Sequence, residues 1–161
     1  QSTGILCGKS ELIQAAYANS APNSSGVARA AKVCKEEIAG LITALKLFVE
    51  TDHKLVADVW RAKSSYIVDQ LGFVEGLRIE LIEADYEARD SRLNFASVKI
   101  TFLNNWPGRS RDEIVQYLED GDPSIRLGVS TYEQSVSVIP VCLQPEEEKI
   151  ITGRLKELLA P

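Results

Sequence analysis

The stretch Arg29-Ala30-Ala31-Lys32-Val33-Cys34-Lys35 sets its cations immediately before Ile38, Leu41, Ile42, Leu45, Phe48 and Val49, whose spacing of three and four marks one face of a long helix. Cations at a helix N-terminus oppose the macrodipole by about 0.3–1 kcal/mol each near the surface, so stability alone does not favour them there. An anion held at that point reverses the sign, because free N–H groups, dipole and side chains then converge on it. The competing reading is an exposed basic turn compensated by Glu36 and Glu37. A second candidate is Arg126, on the outward side of the alternation Ile125, Leu127, Val129, where its planar fork suits bidentate capture of a carboxylate or simple solvation.

Other chemistry is poorly supplied. A lone histidine, His53, leaves a histidine-based triad without support, and no phosphate loop, dinucleotide fingerprint or nucleophile elbow is present. The cysteines Cys7, Cys34 and Cys142 are widely spaced, which suggests neither a disulfide framework nor a zinc site, and no metal ligands are assigned. Cys142 closes an apolar alternation and reads as a small buried hydrophobe; Cys34 lies in a polar, basic neighbourhood of the kind that raises thiolate character. The loop Asn104-Asn105-Trp106-Pro107-Gly108-Arg109 could line a pocket mouth, with Trp106 as core packing the competing reading.

The elements that must carry these residues are legible in part. Thr3 to Cys7 reads as a strand ended by Gly8, with Ser10 and Glu11 starting a helix to about Ala18 and a turn-rich loop from Asn19 to Gly26. A helix from Lys35 and a second from Asp52 to Leu71 follow and are expected to pair, with Gly72 supplying a left-handed end. The period then becomes two at Leu77, Ile79, Leu81 and again at Ala96, Val98, Ile100, Phe102, predicting antiparallel strands. Ser110 and Glu113 have capping-box spacing for a helix from Arg111 to Glu119, closed by Gly121-Asp122-Pro123. Short strands at 125–129 and 136–138 and a last helix opened by Pro145 and Glu146 complete an α+β layer.

Read in order, these segments resemble the C-terminal part of pyridoxal-phosphate (PLP) enzymes of fold type I, in the selenocysteine-synthase-like group. Gln1-Ser2-Thr3-Gly4-Ile5-Leu6-Cys7-Gly8 is similar to the segment that follows the group's Lys-(x)n-Gly-Pro motif. Arg29 to Leu41 resembles its Arg-x-x-(Lys/Arg)-Val-x-Lys-Glu-Glu helix entry, and Pro123-Ser124-Ile125-Arg126 with Leu143-Gln144-Pro145-Glu146-Glu147 its closing strands and helix. The resemblance implies an α/β enzyme in which residues 1–71 end the large cofactor-binding domain and 72–161 form the small α+β domain. It implies contact of Gln1, Ser2 and Thr3 with the cofactor phosphate, of Arg29 and Lys32 with an anionic part of an amino-acid-like substrate, and of Arg126 with its carboxylate. The cofactor lysine falls before Gln1, so the chain by itself carries no catalytic residue and is expected to be inactive alone, as part of a homo-oligomer or beside a missing N-terminal half. A noncatalytic α+β domain binding an anion or partner through Arg29 and Lys32 is the alternative.

Length and composition agree with one substantial core. A chain of 161 residues, 45% hydrophobic, buries roughly two-thirds of its unfolded surface. Its net charge of −5 supplies no excess cation for a nucleic-acid backbone, and no apolar run nears the roughly 20 residues that span a bilayer. The absence of methionine and the opening on Gln1 suggest a piece of something longer, expected to be cytoplasmic.

Overall fold

The computed structural model describes residues 3–23, 25–84 and 95–160, and these divide into two units at Asp52/His53. The first unit contains α1 (Ser10–Ala18), a 3-10 turn at Val27–Ala31 and α2 (Lys35–Glu50). The second contains α3 (His53–Leu71), β1 (Leu77–Ile82), β2 (Ser97–Phe102), α4 (Arg111–Glu119), β3 (Gly128–Val129), β4 (Ser135–Val138), a 3-10 turn at Pro140–Cys142 and α5 (Glu147–Leu159). The expected α+β class is what the chain adopts.

The second unit is organised by strand alternation. Its antiparallel sheet has the order β1-β2-β4-β3, and the register aligns Ile79 with Ile100 and Ile100 with Val136, then Leu81 with Val98 and Val98 with Val138. Because successive side chains in a strand point to opposite faces, this register collects the apolar residues into rows on one face. That face joins Ile67 and Leu71 of α3, Ile114 and Leu118 of α4, and Ile151, Leu155, Leu158 and Leu159 of α5 in one buried cluster. Ser64 Oγ, buried on α3, donates to Ala96 O at 3.1 Å and ties the helix to the entry of β2. On the opposite row Lys99 pairs with Glu133.

Local signals set most boundaries. Ser110 Oγ accepts from Glu113 N–H at 3.3 Å, and Ser110 N–H donates to Glu113 Oε2 at 2.8 Å, so the expected capping box starts α4. Gly72 has φ +59 and donates to Val68 O at 3.0 Å, the left-handed end expected of α3. Lys63 Nζ reaches Leu143 O at 2.5 Å and Gln144 O at 2.8 Å, holding the approach to α5 against α3.

Several expectations change. Residues 3–7 enter no sheet among the described residues, and Ile5 and Leu6 are exposed, because a strand needs a neighbour to complete its hydrogen bonds. The N-cap of α1 is Lys9, with Ser10 the first helical residue. Residues 125–127 stay outside the ladder and β3 shrinks to Gly128–Val129, although Ile125 and Leu127 are buried. Glu146 takes a left-handed conformation, φ 73, so α5 begins at Glu147 rather than at the Pro145-Glu146 pair. Cys142 is exposed, not buried, since a 3-10 turn replaces continued alternation after Val138.

Replacing Ile100, which is fully buried in the central strand, by alanine is expected to lower stability by about 2–5 kcal/mol. The exposed loop substitution Tyr132→Ala stays within about 0.5 kcal/mol. Urea unfolding checks both.

Hydrogen bonds from the Ser110 side chain and then its backbone, with Arg109 nearby, hold the Glu113 carboxyl below its ordinary value. A depressed carboxylate stabilises the fold above its unfolded pKa and loses that contribution as pH falls through the folded one. Ser110→Ala is therefore expected to remove about 1 kcal/mol at neutral pH, with the difference from the parent shrinking in acid below the carboxylate range, measured by urea titrations at several pH values.

Candidate functional site

The basic segment of the first unit is held by the end of α1. Asn19 Nδ2 donates to Ala15 O at 2.9 Å, Ser20 Oγ to Ala16 O at 2.7 Å and Asn23 Nδ2 to Tyr17 O at 3.0 Å, which satisfies the last carbonyls of the helix. The chain then folds back so closely that a Cβ on Gly26 would lie 2.4 Å from Asn19 O, and Ala28 N–H donates to that oxygen at 2.9 Å. Only glycine admits this approach. Arg29 follows inside the 3-10 turn and Lys32 is its C-cap, in extended conformation.

Both cations are exposed, and neither forms an ion pair with a described residue. The acids immediately downstream are directed elsewhere. Cys34 N–H donates to Glu37 Oε2 at 2.9 Å, and this bond, with a further one from the Cys34 side chain, holds the Glu37 carboxyl below its ordinary value. Glu36 is lowered by its own backbone N–H and then by the Cys34 side chain. Both carboxylates thus serve the free N–H groups at the start of α2, in keeping with the positive end of its dipole. Cys34, singled out for its surroundings, is the exposed N-cap residue of α2.

Arg126 belongs to the second unit. Ile125 N–H donates to Leu118 O at 2.8 Å and Ser124 Oγ to Glu119 O at 2.7 Å, so the segment is laid against the end of α4. With Ile125 and Leu127 turned inward, Arg126 points out; its side chain is 85% exposed and its Nε lies 3.3 Å from Glu119 Oε1. A cavity of about 250 Å3 opens beside it. Glu119 was not foreseen as its partner, although the Gly121-Asp122-Pro123 turn between them is the signal that returns the chain past α4.

The remaining candidates divide. Thr3 is half-buried, whereas Gln1 and Ser2 lie outside the described residues. Trp106 donates from Nε1 to Arg109 O at 2.7 Å and meets Phe102 edge to face, which makes it a packing residue that fixes its loop. Arg109 and Arg154 each stack on the Tyr117 ring, at 5.5 Å and 5.8 Å from its centroid, a grouping sequence spacing did not reveal because Arg154 comes from α5. Among the described residues no three His, Cys, Asp or Glu side chains gather as metal ligands, and no helix is long and apolar enough to cross a membrane.

No protein-family profile matches the chain. It is 27% identical over 158 residues to a 5'-C-glycyluridine monooxygenase-decarboxylase from Streptomyces sp, an alignment covering 98% of this chain and 37% of that protein. In fold it resembles a solved D-glucosaminate-6-phosphate ammonia-lyase, with a TM-score of 0.63 and 22% identity over 94% of this chain and 38% of the lyase. The chain therefore spans less than two-fifths of either protein, and the likeness to the lyase establishes a shared fold.

An ion pair as exposed as Arg126–Glu119 contributes at most about 1 kcal/mol. Glu119→Gln is accordingly expected to leave the urea midpoint nearly unchanged; a large loss would show that the pair is a structural support.

Proposed function

We propose that this chain is the C-terminal part of a longer PLP-dependent lyase or transferase of the selenocysteine-synthase-like group, acting on an amino-acid-like substrate with a further anionic group. The observation carrying this reading is the extent of the two likenesses. Each takes in nearly the whole chain yet little more than a third of an enzyme. One of those enzymes is named for a glycyl-bearing uridine and a decarboxylation, the other for loss of ammonia from a phosphorylated amino sugar acid. Their order and the segment resemblances described above fit the end of a fold type I enzyme, with residues 1–71 completing its large domain and 72–161 forming its small one.

Short polar side chains and backbone N–H groups suit the anionic end of such a cofactor. Thr3 offers a hydroxyl and a backbone N–H beside Gly4, and with Gln1 and Ser2 it is assigned to the cofactor phosphate. When bound, the cofactor supplies an electron sink for charge developing at the substrate's α-carbon. Arg29 and Lys32, which pair with no carboxylate among the described residues, hold the anionic group of the substrate through charge-assisted hydrogen bonds. Arg126 takes its carboxylate on the guanidinium edge that Glu119 leaves free. The lysine that attaches the cofactor is assigned to the region before Gln1, and the 161-residue chain alone is inactive.

Association is part of the same proposal. No described residue of the first unit is buried, and Ile38, Ile42 and Leu45 are exposed along α2. Such a face suits burial against the rest of the longer chain or its copy in a cytoplasmic homo-oligomer.

O-Phosphoserine serves as a probe of the anion site. Titrated into the longer protein with its cofactor, it is expected to bind at least about tenfold more weakly to the R29A/K32A variant, since each charge-assisted bond contributes about 1.5–3 kcal/mol. Unchanged affinity contradicts the assignment of that pair. Robust turnover by the 161-residue chain with added cofactor contradicts its incompetence.

A further inference from the structure

A second cavity, of about 500 Å3, runs along one side of α4 from Glu113 to Asp120, with Arg109 before the helix and Arg154 of α5 completing its lining. Two guanidiniums meet there. Those of Arg109 and Arg154 lie 5.5 Å and 5.8 Å from the centroid of the same Tyr117 ring, so one aromatic side chain carries two like charges. Each is set in place by its surroundings. Trp106 Nε1 donates to Arg109 O at 2.7 Å, directly before the capping box at Ser110. Arg154 reaches over Gly121, where a Cβ would lie 2.6 Å from its Nη2, and its Nη1 donates to Asp122 O at 3.3 Å. The Arg154 Nε is buried, 3.8 Å from Glu157 Oε2 and without a hydrogen-bond partner among the described residues. Arg109 is exposed and forms no ion pair among them.

The two carboxylates of the lining are already engaged. Glu113 Oε2 accepts from Ser110 N–H at 2.8 Å and from Ser110 Oγ at 2.7 Å, and Asp120 Oδ2 accepts from Gln116 Nε2 at 2.8 Å. A guanidinium carries five N–H donors, of which Arg154 gives one to Asp122 O and Arg109 none to a described residue. We propose that this cavity binds the phosphate monoester of a small polyhydroxylated molecule. The phosphate oxygens take the donors of Arg109 and Arg154 and relieve the repulsion between the two cations. Hydroxyls of the ligand donate to the second Asp120 oxygen and to Gln116 Oε1, acceptors that the bond between Gln116 and Asp120 leaves available. A volume of about 500 Å3 lies within the roughly 300–1,000 Å3 of small-ligand pockets and exceeds the needs of a bare oxyanion. With two cations and two carboxylates in the lining, a single phosphate is matched and a polyphosphate is not. The site belongs to the second unit, uses neither Arg29, Lys32 nor Arg126, and does not rest on the reading of the chain as part of a PLP enzyme.

The test follows amide shifts of the isotopically labelled 161-residue chain by NMR as glycerol 3-phosphate, inorganic phosphate or glycerol is added at constant pH and ionic strength. Glycerol 3-phosphate is expected to saturate the shifts of residues 116–121 and 154 with a Kd at least about fivefold below that of inorganic phosphate, roughly the factor one hydroxyl hydrogen bond supplies. Glycerol alone does not saturate them. Arg109→Gln, at an exposed position, weakens binding of both phosphates at least about tenfold. Gly121→Ala reaches the same site by another route: its methyl displaces the Arg154 guanidinium and lowers affinity, yet leaves the urea midpoint nearly unchanged because the atom it meets ends a flexible side chain. The R29A/K32A variant binds as the parent does. If Arg109→Gln leaves affinity intact, or if the shifts move instead at residues 29–35 and vanish in R29A/K32A, the site is overturned. If inorganic phosphate binds as tightly as glycerol 3-phosphate, the monoester class is overturned.

Discussion

The pleat of the sheet constrains everything that follows from it in the second unit. A side-chain period of two, combined with the register Ile79–Ile100–Val136 and Leu81–Val98–Val138, commits one face to the helices. A slip by one residue would put Lys99 where Ile100 now sits, in the buried cluster that includes Ile67 and Leu155. The segment that returns from α4 must keep the same sense of inside and outside. Ile125 and Leu127 therefore turn into the core, and Arg126 is left facing solvent at the edge of its cavity. The candidate clamp is thus a consequence of the core.

The first unit follows a different rule. Its internal order comes from hydrogen bonds that finish helices: Asn19, Ser20 and Asn23 on the end of α1, and Glu37 on the start of α2. None of these buries apolar surface. A helix as apolar along one side as α2 draws most of its stability from packing that side against something, so capping alone does not account for its place in a folded protein. Glu36 and Glu37 serve backbone N–H groups, and Arg29 and Lys32 form no ion pair among the described residues.

How much of this was legible in the sequence depended on the range of the interaction responsible. The helix from Arg111 to Glu119, with its box at Ser110 and Glu113, and the end of α3 at Gly72 rest on contacts within a few residues, and both were readable. So was the pairing of β1 with β2, because each alternates strongly. The strand expected at Thr3 to Cys7 failed for the opposite reason: apolar alternation cannot supply the neighbouring strand. Cys142 was misjudged because Pro140 starts a 3-10 turn where the alternation seemed to continue. At the site, the spacing of Arg29 and Lys32 and the outward position of Arg126 were readable. The contact of Arg126 with Glu119 and the cavity walls from α5 were not, since they depend on how distant segments pack. The redirection of Glu36 and Glu37 was also missed, because charge counting alone pairs them with the nearby cations.

The central claim is that these residues complete a PLP enzyme whose cofactor lysine lies in the longer protein before Gln1. Its most direct test is borohydride reduction of that longer protein in the presence of cofactor, followed by mass spectrometry of its peptides. The account predicts a pyridoxyl adduct on one lysine shortly N-terminal to Gln1 and none on Lys9, Lys35 or the other lysines of this chain. No adduct anywhere, or one confined to a lysine within these 161 residues, would contradict it.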